Sequence, residues 1–406
     1  FLYLRNQLHK TYNMNRIIKN LVCYTTLLFC LIACNYKLTN DSIYNDVETI
    51  TIDYDKLPIL NTDSIVSDIR FIKLETTENN LISRIDRLLF TNGEIIVVDL
   101  FSSKSIHIFD EIGKHINRVS HLGNGPQEYL TITDVDITLD GLIAIKDNFK
   151  DIILYFNTDG NFVKKEEIIE GGLEIAFIDG HTIAHVLSSA SNQKKFKGAS
   201  LGITQNNKIE SLYGKNSTSS SFNHQKTNTL FSYNNTVYFT PSWENYIYEI
   251  TDNNIKAKYY IDLKDDVLDY TFSTNEEFYQ LVEQHNLFNG SFIEMENYTW
   301  LNFKIPNANN PPVIYSHKNK TAYKLSPSLS NPLLTYLHMP KALYSDNTIA
   351  ETASALSLFI NKSAIYSYLN NKELADSLYN GLTIDDNPII FLFTFKDDIS
   401  KYVIEQ

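Results

Sequence analysis

A turn motif recurs in this chain at a fixed interval. Phe109-Asp-Glu-Ile-Gly, Phe156-Asn-Thr-Asp-Gly, Ile203-Thr-Gln-Asn-Asn and Ile250-Thr-Asp-Asn-Asn begin at positions 109, 156, 203 and 250, a spacing of 47 each time. A fifth copy, Tyr315-Ser-His-Lys-Asn, arrives 18 residues late, and a sixth, Phe395-Lys-Asp-Asp398, is weaker. A second marker counts the same units: Asn92-Gly93, Asp140-Gly141, Asp179-Gly180, Asn234-Asn235, Glu296-Asn297 and Asp346-Asn347, each ahead of an apolar run. The copy between 91 and 129 shows what is repeated. Apolar runs at 94–99, 106–109 and 114–119 are separated by residues that tolerate positive φ, the pattern of an antiparallel meander. Such a meander cannot bury both of its faces alone. Packed radially, each unit covers its neighbours and ring closure protects the sheet edges. Repeats of this length with four strands predict a β-propeller, and six turns with six hairpins predict six blades.

The chain of 406 residues, 43% hydrophobic, is long enough to bury the core this fold needs. Its formal charge of −13 argues against nucleic acid as a partner. There is no His-Glu-x-x-His, no Gly-x-Ser-x-Gly and no phosphate-binding loop.

The first 33 residues read as an upstream extension followed by a signal peptide. The first Met is Met14; basic Arg16 and Lys19 follow, then an apolar stretch over 21–32 too short to span a bilayer. The stretch ends in Leu31-Ile-Ala-Cys34, which resembles a bacterial lipobox, and that resemblance implies cleavage before Cys34 and its lipidation. An ordinary signal peptide that happens to contain Cys is the other reading. All three cysteines, Cys23, Cys30 and Cys34, lie in this segment, so an exported propeller here is held without disulfides. Residues 34–47 then form a tether, and 48–406 the propeller.

Alternation over 48–54 predicts a strand that supplies the outermost position of the last blade; Tyr402-Val-Ile404 competes for that place. Blade one is expected from about Ile69. Ser273-Thr-Asn-Glu276 reads as a capping box opening a helix with Phe278, Leu281, Val282 and His285 on one side and Asn289-Gly290 as its stop. A second helical insert is expected over 355–379, within blade six. In a propeller both inserts emerge on the side of the loops between second and third strands, here called the loop face. The hairpins emerge on the opposite face.

Gly123-Asn-Gly-Pro-Gln-Glu-Tyr129 after blade one and Asp386-Asn-Pro-Ile-Ile390 near the end carry a further resemblance. With the lipobox and the six-fold repeat, the chain resembles the six-bladed β-propeller lipoproteins of Bacteroides and relatives, over nearly everything after Cys34. It departs from them at Gln127, where Gly is commoner, and in that Lys37 precedes the first acid, Asp41. The resemblance implies a cell-envelope address and carries no settled activity.

Candidate site residues follow from the loop face. Trp243, Phe101 and Phe149 fall in its loops, where exposed aromatics stack on sugars or peptides or else pack between blades. Glu128 and Tyr129 belong to the 123–129 loop, whose glycines and Pro suit a structural turn as well as a ligand contact. Asp86, Asp134, Asp136, Glu174, Glu294 and His338 lie on inner strands; Asp86, Asp134, Glu174 and Glu294 are candidates for Ca²⁺ at the channel mouth, since a hard cation wants converging carboxylates. His181 and His185 share a strand face with no third ligand in sight and read as structural. No other cofactor is expected. The expected function is a non-catalytic binding or scaffold lipoprotein, anchored to a membrane through its lipid, facing the periplasm or the outer-membrane surface, with a glycan, peptide or protein ligand. The alternative is a metal-dependent hydrolase or lactonase at the channel mouth, which needs three or more carboxylate, Asn or His side chains converging there.

Overall fold

The computed structural model describes residues 41–168, 172–187, 196, 198–214, 229–241, 244–251, 254–264, 274–306, 312–328, 331–337, 339–369 and 372–404. They form six sheets, each built on an antiparallel meander, arranged as a six-bladed β-propeller. Each blade carries its first strand at the channel: Arg87–Thr91, Asp134–Ile137, Gly172–Phe177, Leu230–Tyr233, Leu287–Glu294 and Ala342–Ser345. The tight turns match their residues. Asn92-Gly93, Asn206-Asn207 and Asn234-Asn235 hold positive φ at both positions, the backbone that lets a two-residue hairpin follow the strand twist.

Apolar burial is shared out between blades rather than gathered at one centre. One cluster joins Ile96, Val98 and Ile108 of blade one to Ile143, Ile145 and Leu154 of blade two. A second joins Ala144, Ile153 and Tyr155 to Ile175 and Ile183 of blade three. Comparable clusters fill the joints from blade three round to blade six and back to blade one. Each blade is therefore stable only between two neighbours, as a radial repeat requires.

The ring is closed by a different strand from the one expected. Val66–Lys73 pairs antiparallel with Ile389–Phe395 as the outer strand of blade six, with Phe71 opposite Phe391. Glu48–Thr51 instead runs parallel to Tyr259–Asp262 as a fifth strand on blade four. It stays there because Ile50, Ile52, Tyr54 and Leu57 are buried in the joint between blades four and five. The chain then crosses blade five, where Ile59–Leu60 lies between Lys324-Leu325 and the C-terminal Val403–Ile404. Neither of the two segments weighed for closure performs it, and blade one starts at Arg87, after the closing strand.

The helices match the expected inserts, with one shift. Asn275–Gln284 is capped by Thr274, whose side chain accepts from the Glu277 N–H while Glu277 reaches back to the Thr274 N–H. The capping box is thus one residue later than Ser273-Thr-Asn-Glu276 suggested. The helix ends at Gln284, not at Asn289-Gly290; those two lie inside the strand Leu287–Glu294, where Gly290 at φ +77° accompanies a bulge. Ala355–Ile360, Lys362–Tyr368 and Lys372–Tyr379 fill the loop between the second and third strands of blade six.

Candidate functional site

The inner strands start at the loop face, and those of blades one to three carry charged residues near their starts: Arg87, Asp134 and Glu174. Arg87 of blade one pairs with Asp134 of blade two. The other oxygen of Asp134 accepts the Ile175 N–H of blade three at 2.8 Å. Glu174 of blade three accepts from the Thr229 and Leu230 N–H groups at the start of blade four, at 2.7 and 3.1 Å, and from the Thr229 hydroxyl at 3.2 Å. Asp136 accepts the Phe177 N–H at 3.2 Å. Side chains on successive inner strands thus clasp one blade to the next across half the ring.

Burial makes the clasp sensitive to protonation. It pushes the Glu174 carboxyl up to about 7, the Asp134 charge adding to the effect and Arg87 opposing it. Asp136 is pushed up to about 6, again by burial against the pull of Arg87. Beneath the clasp lies Lys146, fully buried with no hydrogen-bond partner and pushed down to about 8 by burial. Gly172 leaves room for its ammonium: a Cβ there would sit 2.5 Å from Nζ. His185 lies on the far side, its Nε2 2.8 Å from the Thr204 hydroxyl.

Along the axis the six inner strands line a cavity of about 930 Å³. Its mouth on the loop face holds Arg84, Asp86, Phe101, Met339, Lys341 and Glu351. Further in, Phe90, Phe231, Phe292 and Tyr344 make an aromatic wall; Phe90 meets Tyr344 edge-on at 5.0 Å and Phe231 meets Phe292 at 6.0 Å. Asp346, at the other end, accepts the Tyr233 hydroxyl at 3.3 Å.

The fold separates the expected residues. Phe101 and Asp86 come together at the mouth. Phe101 is 62% exposed and lies under the Arg84 guanidinium, 5.3 Å from ring to cation. Asp86 pairs with Arg84 and accepts the Leu100 N–H at 2.9 Å. Phe149 occupies the equivalent loop position in blade two and is 79% exposed, but it does not line the cavity. Tyr129 is fully buried, donating its hydroxyl to the Lys104 carbonyl at 2.8 Å, so it cannot present a binding surface. Glu128 accepts the Gly125 N–H at 2.7 Å; Cβ atoms at Gly123 or Gly125 would crowd its carboxylate, which is why both are glycine. Lys150 completes that loop, donating to the Gly123, Gly125 and Glu128 carbonyls at 3.0, 3.3 and 2.7 Å. Cys34, Trp243 and His338 lie outside the described residues.

The four Ca²⁺ candidates do not converge. Asp86 and Asp134 hold arginines, and Glu174 holds backbone N–H groups. Glu294 sits in the joint between blades four and five, where Lys258 at 2.6 Å, the Tyr259 hydroxyl at 3.1 Å and the Thr299 hydroxyl at 2.7 Å supply its donors. Among the described residues no three His, Cys, Asp or Glu side chains group as a metal site. Sequence reasoning passed over Arg84, Arg87, Lys146 and Glu351. The signal for the last two was there: each is a charged residue inside a buried strand, Ile143–Asp147 and Thr348–Ala353.

A protein of Bacteroides fragilis NCTC 9343, provisionally described as exported, shares the architecture. It superposes with a TM-score of 0.68 over 86% of this chain and 99% of that one, at 15% identity. A DUF4221 family member from Bacteroides vulgatus ATCC 8482 reaches 0.49 over 82% and 97%, at 11% identity. Virginiamycin B lyase of Staphylococcus aureus reaches 0.36 over 70% and 81%, at 12% identity. Only the first is close enough to bear on the fold, and at that identity it bears on nothing else. No curated protein matches the chain. The family described as a domain of unknown function, DUF4934, matches residues 47–394, from just before the extra strand of blade four to the closing sheet of blade six. A match over that span takes in every blade, and the chain belongs to the DUF4934 family.

Proposed function

We propose that this protein is an exported, lipid-anchored propeller of the cell envelope that binds a glycan, peptide or protein partner at the channel mouth on its loop face, without turning it over. The observation that carries the reading is the cavity: it is walled by all six blades, charged at its mouth and aromatic within. Pockets of this size and mixture suit ligand capture. The exposed apolar side chains point the same way. Of the 17 large ones among the described residues, ten belong to loops between second and third strands or to blade-to-blade connections, Phe101, Met339, Leu356 and Ile360 among them. Export is supported by Leu31-Ile-Ala-Cys34 and by the description of the Bacteroides fragilis neighbour.

The test is a thermal-shift screen of soluble oligosaccharides and peptides, followed by titration of the hits. Phe101→Ala should weaken a hit by about 1 kcal/mol or more, as loss of an aromatic anchor does. Phe149→Ala, equally exposed but away from the cavity, should leave it unchanged. If Phe149→Ala abolishes binding and Phe101→Ala does not, the site lies elsewhere.

A further inference from the structure

The channel wall carries more acid than its own cations neutralise. Arg84 is held by Asp86 and Arg87 by Asp134. Asp136, Asp346 and Glu351 also line the cavity, and Lys341 is the one further cation among the lining residues. Asp136 and Asp346 each accept a hydrogen bond, from the Phe177 N–H and the Tyr233 hydroxyl. Glu351 differs. It is only 4% exposed, its Oε1 accepts the Thr352 N–H at 2.9 Å, the Met339 backbone also acts on the carboxylate, and its Oε2 has no partner of hydrogen-bond geometry. Lys341 acts on it from a distance without forming an ion pair.

A buried carboxylate oxygen without a donor is costly, and native structures rarely keep one without a reason. Here the orphan belongs to a residue that lines a cavity open to solvent, beside Phe101 and an aromatic wall. Carboxylate and ring faces together recognise an ammonium group on an apolar stem: the acid accepts its N–H donors, and the rings attract the cation and pack the carbons.

We propose that the channel takes an alkylammonium group, whose N–H donors complete Glu351 while its carbon chain packs on Phe101 and the aromatic wall. The group belongs either to a peptide lysine or to a free aliphatic amine. This inference rests on the binding role proposed above and names the chemistry of its ligand.

Calorimetric titration at pH 8 separates the possibilities. At that pH Glu351, which burial pushes up to about 7, is ionised. The charged groups sharing its cavity are Lys341, the Arg84–Asp86 pair, Arg87, Asp136 and Asp346. The probes are hexylamine and a lysine-containing tripeptide. Their controls are hexanol and the same tripeptide acetylated on the lysine. At least one amine is expected to bind and its neutral counterpart to bind about tenfold more weakly or not at all. Which amine binds identifies the source. Glu351→Gln keeps an acceptor for the Thr352 N–H and should weaken the amine about tenfold, whereas Glu111→Gln on an exposed hairpin makes the same charge change and should not. The amine-against-neutral comparison in the native protein stands even if Glu351→Gln fails to fold. Equal binding of the neutral controls, unaltered amine binding in a folded Glu351→Gln, or no binding of either amine overturns the inference. If amines fail while an oligosaccharide or neutral peptide still binds in a Phe101-dependent way, the broader binding role survives; if nothing binds, both fall.

Discussion

Glu174 shows how a single side chain can hold a joint and weaken it as well. Its carboxylate accepts three hydrogen bonds from the start of blade four, yet burial raises its pKa from 4.5 to about 7. A carboxyl whose pKa is raised on folding contributes its stability in full below the unfolded value and loses it as pH climbs through the folded one. The window here runs from about pH 4.5 to about 7. Glu174→Gln keeps the acceptor and removes the charge. Its melting temperature should exceed that of the native protein at pH 8, by an amount equivalent to about 1–3 kcal/mol, and converge with it near pH 4. A variant less stable than the native protein at pH 8 and equal to it near pH 4 would mean that the Arg87 attraction outweighs the burial. Little of this could be read from the sequence. Glu174 and Asp134 were visible as acids on inner strands, but the N–H groups they accept lie 41 to 56 residues away, on the next blade.

At the scale of elements, the two N-terminal strands have unequal duties. Glu48–Thr51 adds an edge to a sheet that already has four strands, whereas Val66–Lys73 supplies the fourth strand of blade six and closes the ring. A chain starting at residue 58 should keep a single cooperative melt at a lower temperature, since it loses the buried Ile50, Ile52, Tyr54 and Leu57. A chain starting at residue 75 should lose that cooperative melt, because blade six is left with three strands and an open edge. Circular-dichroism melts compare them, and equal behaviour of the two would reject the assignment of closure. The alternation over 48–54 correctly marked a strand. It could not say which sheet, because pairing is chosen by what the buried face meets, and Ile50 and Ile52 meet blades four and five.

For the whole molecule, attachment and fold are separable. The proposed anchor, Cys34, lies seven residues before the first described one, and the described cores involve residue 43 onward. In a lipoprotein-processing host, the native chain should take up labelled fatty acid and sediment with membranes, whereas Cys34→Ala should remain unlabelled but keep the same melt. Membrane retention of Cys34→Ala, with no label on the native chain, would reject the anchor. Local chemistry was enough to determine six blades, the turns at Asn92-Gly93 and Asn234-Asn235 and the side on which helices are inserted. Turn residues and strand period act within a few positions, and a repeat states them six times. The tertiary structure alone decided which strand closes the ring, which aromatic of the pair Phe101 and Phe149 borders the channel, and that Asp134 and Glu174 clasp one blade to the next. Those outcomes depend on which side chains meet across joints between blades, and no spacing along the chain encodes that meeting.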